Sequence, residues 1–186
     1  MKWIIPGTVL ESRREDAESV ESLFSPMFLA GGIVLSQVSY LTGLEPYTVQ
    51  NWVKRGFLAP PQKKRYTLRQ LCRIININML KSALPMEKIC SMLTYINGHL
   101  DDESDDMIDD SALYFAFVRV AARTTDYMVD SPEARDALIE KSLEGYEEPI
   151  PGAKERVEKV LRIMLTAWAS AQLRKQAEDM LAELEV

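Results

Sequence analysis

Cysteine, histidine and long apolar runs are scarce in this chain of 186 residues. Two cysteines and one histidine are too few for a disulfide scaffold and show no metal-ligand spacing. The longest apolar run, residues 112–118, is far shorter than the roughly 20 residues of a membrane span. The first ten residues lead into a charged run, which is not the pattern of a secretory signal. We therefore expect a cytoplasmic protein with no membrane segment, metal or cofactor.

Catalytic motifs are also missing. The sequence has no Gly-rich phosphate loop, and His99 has no Ser or Cys partner at a spacing typical of a nucleophile and its base. Residues 101–110 hold seven acids but lack the central Gly and terminal Glu of a calcium loop. We interpret this run as a solvated linker, with low-affinity cation binding as the alternative. The sequence therefore predicts that the protein is not an enzyme.

Positive charge is concentrated in one window of an acidic chain. The formal net charge is −6, yet residues 33–82 carry eight Lys/Arg against one acid, Glu45, a net of +7. The remaining residues therefore carry −13. Local concentration of positive charge is the electrostatic footprint of phosphate binding.

The same window has a punctuated helical pattern. Ser36 is a candidate N-cap for a first helix, and residues 42–44 form a turn. Pro46 fits the first position of a second helix, which Gly56 ends, and Trp52 faces inward. The exposed face of this second helix would consist of Tyr47, Thr48, Gln50, Asn51, Lys54 and Arg55.

A stiff Pro60-Pro61 turn then leads to a basic tip formed by Lys63, Lys64 and Arg65. A capping box opens a third helix at residue 67, and Pro85 opens a fourth. Both cysteines, Cys72 and Cys90, fall on inward helix faces, where small buried side chains are expected.

We divide the chain into an N-terminal arm (1–32) that is flexible and ends by packing on the body, a compact helical unit (33–98), an acidic linker (99–110) and an α-helical half (111–186). In the last part, helices are expected over 111–129, from 131 to about 143, and over 154–184. The last would be about 45 Å long at 1.5 Å per residue, more than a small body covers. Part of its apolar stripe is therefore expected to pair with a second copy, with Met164, Leu165 and Trp168 near the centre of the contact. The alternative is an internal core helix.

Residues 35–93 resemble the MerR-like winged helix-turn-helix DNA-binding domain. The matching positions are Thr42-Gly43, Thr48-Val49, Trp52, Gly56-Phe57-Leu58, Arg65, Tyr66 and Leu71. The wing sequence Pro-Pro-x-Lys-Lys-x-Tyr is closer still to an uncharacterised bacterial family known only as a domain of unknown function. Gln50 and Asn51 depart from the pattern, because the regulators have Arg and Tyr there. The resemblance implies a mainly α fold with a small wing, followed here by an α-helical half.

The resemblance and the charge together predict a transcriptional regulator that binds double-stranded DNA as a homodimer. The exposed helix face would lie in the major groove, and the tip would contact phosphates or the minor groove. The site residues are therefore Tyr47, Thr48, Gln50, Asn51, Lys54, Arg55, Lys63, Lys64 and Arg65. The alternative is a protein-interaction or adaptor module on a winged-helix scaffold.

Overall fold

The computed structural model describes residues 2–100, 102, 104–124 and 131–184. Within them the chain is mainly helical with one two-stranded sheet, which confirms the mainly α class. The strands are β1 (Lys2–Ile4) and β2 (Glu11–Arg13), and 3-10 turns span Arg14–Ser19 and Ser25–Phe28. The helices are α1 (Val20–Phe24), α2 (Leu35–Thr42), α3 (Pro46–Lys54), α4 (Leu68–Leu80), α5 (Met86–Asn97), α6 (Asp110–Arg123), α7 (Pro132–Ser142) and α8 (Ala153–Ala182). No helix in the described part of the chain has the length and apolar character needed to cross a bilayer.

The N-terminal segment ends by packing on the body as expected, since Val20 and Phe24 are buried, but the part before them, expected to be flexible, is also folded. β1 pairs with β2 in antiparallel register, and Ile5 behind the hairpin is fully buried. The ring of Phe24 packs against the rings of Tyr114 and Phe115 on α6, with centroids 6.3 and 5.9 Å apart. The packing of this segment is difficult to predict from sequence, because it depends on a few apolar side chains that show no helical periodicity.

The helices of residues 33–98 start and end close to the predicted positions. α2 begins earlier than expected, because Val34 and not Ser36 is its N-cap, and the Gln37 side chain accepts the Val34 N–H at 3.0 Å. α3 begins at Pro46 as predicted. The capping box at the start of α4 is confirmed, since Thr67 and Gln70 each bond the other's backbone N–H at 3.2 and 2.9 Å.

α6 is the central helix of the second half and is buried along nearly its whole length. It packs on α4, α7 and α8, and one hydrophobic cluster joins both halves of the chain. A helix that is apolar on most sides is stable only when it is covered on most sides. The predicted helix over 111–129 ends at Arg123, and residues 125–129 lie outside the described residues.

α8 is the long helix predicted at the C-terminus, but its two ends differ. Its N-terminal half is packed into the core, whereas every residue from 172 to 184 is exposed. Met164 and Leu165 are fully buried within their own chain, and the Trp168 ring meets Phe117 edge-on at 6.0 Å. The prediction that Met164 and Leu165 lie near the centre of a dimer contact is therefore wrong, because both are covered within their own chain. Trp168 is half-buried, and the pairing of part of α8 with a second copy stays a prediction.

Candidate nucleic-acid interface

α3 presents one polar face to solvent and one apolar face to the core. Val49 and Trp52 are buried, which confirms that Trp52 packs inward. On the opposite side, Tyr47 is 75% exposed. Gln50, Lys54 and Arg55 are also exposed, whereas Thr48 and Asn51 are half-buried. The predicted face exists, although two of its six members are less accessible than expected.

A basic loop (residues 58–66), for which we use the label wing, follows α3 and contains a two-residue turn. Gln62 and Arg65 are bridged across it, and the Arg65 N–H donates to the Gln62 carbonyl at 2.8 Å. The central residues, Lys63 and Lys64, both have left-handed backbones, with φ of 48° and 64°. Two such residues between the bridged Gln62 and Arg65 fit a type I′ turn, which normally contains Asn-Gly. Lysine tolerates this conformation at a cost of about 1–2 kcal/mol per residue, so the turn holds two exposed cations in a fixed, unfavourable backbone geometry.

The root of the wing is tied to the segment before α2. Ile33 and Tyr66 exchange both backbone hydrogen bonds, at 3.0 and 2.8 Å. Gly32 makes this approach possible, because a Cβ at this position would lie 2.7 Å from the Tyr66 carbonyl oxygen. The side chain of Arg65 reinforces the root by donating from Nη1 to the Gly32 carbonyl at 2.7 Å. Arg65 therefore makes a structural contact within the protein, in addition to the DNA contact predicted for it.

Arg55 at the end of α3 is held by neighbouring side chains. Its Nη2 lies 3.0 Å from Glu87 Oε1 on α5, and its guanidinium carbon lies 4.5 Å from the centre of the Phe57 ring. Both members of the ion pair are substantially exposed, so the pair is weak. No sequence pattern indicated that Glu87, on a later helix, would pair with this cation.

The acidic run is solvated as predicted only in its first half, where the described Asp102 and Asp105 are exposed. Its second half forms an Arg–Asp cluster with α4, so the prediction of a solvated linker is wrong there. The cluster consists of Arg69, Arg73, Asp106, Asp109 and Asp110. Arg69 Nη2 lies 2.7 Å from Asp106 Oδ2, and Arg73 Nη1 lies 3.3 Å from Asp110 Oδ2. Asp110 and Arg73 are both buried. Asp101 and Glu103 lie outside the described residues.

Burial perturbs the acids of the Arg–Asp cluster. Burial raises the pKa of Asp106 to about 7, in spite of the lowering effect of Arg69. Burial also raises the pKa of Asp110, against the opposing effect of Arg73. Buried charges persist in proteins only when they are paired, which explains why two arginines face these acids.

The cluster reduces the positive charge of residues 33–82 that is available to a ligand. Arg69 and Arg73 are engaged by carboxylates, and Arg55 is engaged by Glu87. Lys63 and Lys64 are exposed and have no carboxylate partner among the described residues. The accessible positive charge therefore lies mainly at the tip of the wing, with Lys54 on α3 and Lys81 after α4 as further exposed cations.

The remaining sequence predictions concern reactive and metal-binding groups. Cys72 is buried and Cys90 is half-buried, and burial raises the pKa of both thiols. Both are therefore poor nucleophiles at neutral pH. Among the described residues, no group of three or more His, Cys, Asp or Glu side chains could hold a metal ion.

Sequence reasoning also missed one aromatic side chain. Tyr40 on α2, which packs beside α3, is as exposed as Tyr47 at 75%. Its ring lies outside the core, so the surface of the helix pair presents two tyrosines. Helical periodicity could have indicated this, since Tyr40 lies off the stripe formed by Val38 and Leu41.

Residues 34–117 match the family model described as "Domain of unknown function (DUF1836)". The match begins at the N-cap of α2 and ends within α6, so it includes the wing and the Arg–Asp cluster. The chain is also similar to the Uncharacterized protein YkrK of Bacillus subtilis (strain 168), with 31% identity over 86 residues. This alignment covers 44% of the chain and 37% of the relative, so the chain spans just over a third of the length of the curated relative that it matches. No solved structure matches the chain significantly.

Proposed function

We propose that the chain is a sequence-specific DNA-binding transcriptional regulator of the MerR-like winged helix-turn-helix type. The observation that carries the proposal is the tip of the wing, where two exposed lysines occupy a tight turn beyond a helix with an exposed polar face. Backbone strain concentrates at functional sites. If this turn had only a structural role, we would expect it to contain residues that adopt a left-handed backbone more easily than lysine. Since such regulators act on the chromosome, the proposal includes a cytoplasmic location.

Each part of the surface has its own role in this proposal. Lys63 and Lys64 bind phosphates and supply affinity for any sequence. Tyr47, Gln50 and Lys54 on α3 enter the major groove, where an amide such as that of Gln50 can pair with the edge of adenine. Arg65 contributes a phosphate contact with the donors that remain after its bond to Gly32.

A turn replacement tests the role of the wing without damaging its fold. The double variant Lys63→Asn with Lys64→Gly introduces the preferred type I′ sequence and removes both charges. We expect urea denaturation to show it more stable than the parent by about 1 kcal/mol, because Asn and Gly adopt a left-handed backbone at less cost than Lys. We also expect it to bind duplex DNA more weakly. Fluorescence anisotropy with labelled duplex DNA at several salt concentrations measures the affinity.

The salt dependence identifies the mechanism. Each lost phosphate contact lowers the slope of log K against log salt by about 0.9, so the double variant should lose about 2. Lys141→Ala on α7, an exposed lysine far along the chain from the wing, is the matched control and should leave the slope unchanged. An identical slope and affinity in the double variant would remove the wing from the interface.

The second candidate is a protein-interaction or adaptor module. The Arg–Asp cluster favours it to a limited extent, because the cluster withdraws two of the eight cations in residues 33–82 from any phosphate. If the parent protein binds no arbitrary duplex DNA even at low salt, this second function becomes the better proposal.

A further inference from the structure

A large cleft lies between the N-terminal hairpin and the second half of α8. It has a volume of about 1030 Å³, at the upper end of the range typical of small-molecule sites. Its walls are β1 with the turn that follows, the C-terminal ends of α4 and α6, and residues 168–179 of α8. Among the described residues that line it, only Asn78, Met79 and Ser82 fall within the matched range 34–117. The cleft is therefore a feature of this chain that the family match does not account for.

Arg14 lines the cleft and is held there by the C-terminal end of α6. Its Nη1 donates to the carbonyls of Ala122 and Thr124 at 3.3 and 3.1 Å, and its guanidinium carbon lies 5.5 Å from the centre of the Trp3 ring. These two hydrogen bonds use one nitrogen, whereas a guanidinium has five N–H donors in a fixed fork. Nε and Nη2 of Arg14 have no partner among the described residues. One edge of a fixed guanidinium is therefore available to a ligand.

The other charged groups of the cleft leave Arg14 as its best anion anchor. Arg174 is already engaged, because its Nε lies 3.4 Å from Glu178 Oε1. Lys175 and Asp179 add one charge of each sign. The cleft is thus lined by three cations and two acids, a net of +1. So small a net charge suits a ligand with one negative charge and disfavours a doubly charged phosphate.

Two indole rings provide the apolar contacts of the cleft. Trp3 and Trp168 both line it and both are half-buried. The Trp168 ring is fixed by its edge-on contact with Phe117, and an indole can stack with a second planar ring. We propose that the cleft binds a small aromatic carboxylate, whose two oxygens accept hydrogen bonds from Nε and Nη2 of Arg14 and whose ring packs on the indoles. A planar carboxylate matches one edge of a guanidinium in a bidentate pair.

NMR of the full chain with isotope-labelled indole nitrogens tests the proposal. The probes are phenylacetate and phenylacetamide, which share a ring but differ in charge. We expect phenylacetate to shift the indole N–H signals of Trp3 and Trp168 saturably and to leave that of the buried Trp52 unchanged. The amide should bind at least about tenfold more weakly, because it lacks the charge-assisted pair. Equal affinity for both probes, shifts of all three signals, or no shift at millimolar concentration would overturn the proposal.

Variants of two neighbouring arginines test the contact with the carboxylate. Arg14→Gln should bind both probes equally weakly. Arg13→Gln, a change at an exposed arginine outside the cleft, should keep the preference of the parent for phenylacetate. An Arg14→Gln protein that keeps this preference would show that Arg14 does not hold the carboxylate.

The comparison of the two probes uses the parent protein, so it still decides the question if Arg14→Gln fails to fold. The site does not depend on the proposed function. Because no DNA is present in these measurements, their failure is distinguishable from failure of the DNA-binding proposal.

Discussion

The wing tip and the Arg–Asp cluster are close in sequence but place their cations in opposite environments. Lys63 and Lys64 lie in solvent on a strained turn, whereas Arg73 is buried against Asp110. Arg69, between them in sequence, is mostly covered and lies 2.7 Å from Asp106. A sum of charge along the sequence treats all four residues alike. The difference shows that charge available to a ligand depends on which cations the fold has already paired.

The largest expected effect comes from breaking the buried pair of the Arg–Asp cluster. Asp110→Ala leaves Arg73 buried without its main counter-charge, and we expect a loss of about 3–5 kcal/mol in the free energy of unfolding. Urea denaturation measures the loss. Replacing both charges, Arg73→Met with Asp110→Asn, should cost less than the single change. A single variant as stable as the parent would show that the pair is not energetically important.

A smaller effect is expected from pH, through Asp106. Its pKa is about 7 in the folded protein, against an ordinary value of 3.8, so the folded state binds the proton more tightly than the unfolded state. The stabilising contribution of the protonated carboxyl is fully present below about pH 3.8 and is lost as the pH rises through about 7.

The comparison that isolates this contribution is between the parent and Asp106→Asn. After allowance for solvent screening, the parent should lose about 1–2 kcal/mol relative to the variant between pH 5 and pH 8. Denaturation curves at several pH values test this. Parallel stability profiles for the two proteins would mean that Asp106 titrates in its ordinary range.

The smallest expected effect comes from removing the carboxylate partner of one cation. Glu87→Gln removes the carboxylate that lies 3.0 Å from Arg55 and should leave that guanidinium available to phosphate. Because exposed ion pairs are worth about 0–1 kcal/mol, we expect DNA affinity to rise by a few-fold, with a slightly steeper salt slope. Ser91→Ala, one turn further along α5, is a neutral control for anisotropy titrations. Weaker binding by Glu87→Gln would mean that the pair positions Arg55 and does not restrain it.

Local features of the fold could be predicted from sequence, because local residues cause them. Pro46 begins α3, Gly56 follows its end with φ of 74°, and the capping box at Thr67 starts α4. The inward placement of Trp52 follows from helical periodicity, which depends only on spacing along one helix. Each of these predictions needed no knowledge of what lies across the chain.

Long-range contacts could not be predicted in the same way. Arg73 and Asp110 are 37 residues apart, and nothing in the acidic run distinguishes the buried Asp110 from its exposed neighbours. The apolar stripe of α8 was recognised, but its buried and exposed portions depend on how far the body extends beneath it. For this reason Met164 and Leu165, predicted near the centre of an interface, lie in the core instead.

The N-terminal segment has a consequence for the order in which the protein folds. The Tyr114 hydroxyl donates to the Pro6 carbonyl at 2.9 Å across 108 residues, and Phe24 packs on the same part of α6. During synthesis, the hairpin leaves the ribosome long before the helix that covers it exists. Ile5, Val20 and Phe24 therefore remain uncovered until α6 is made, and closing so long a loop is entropically slow. The first residues of this chain should therefore be among the last to reach their native places.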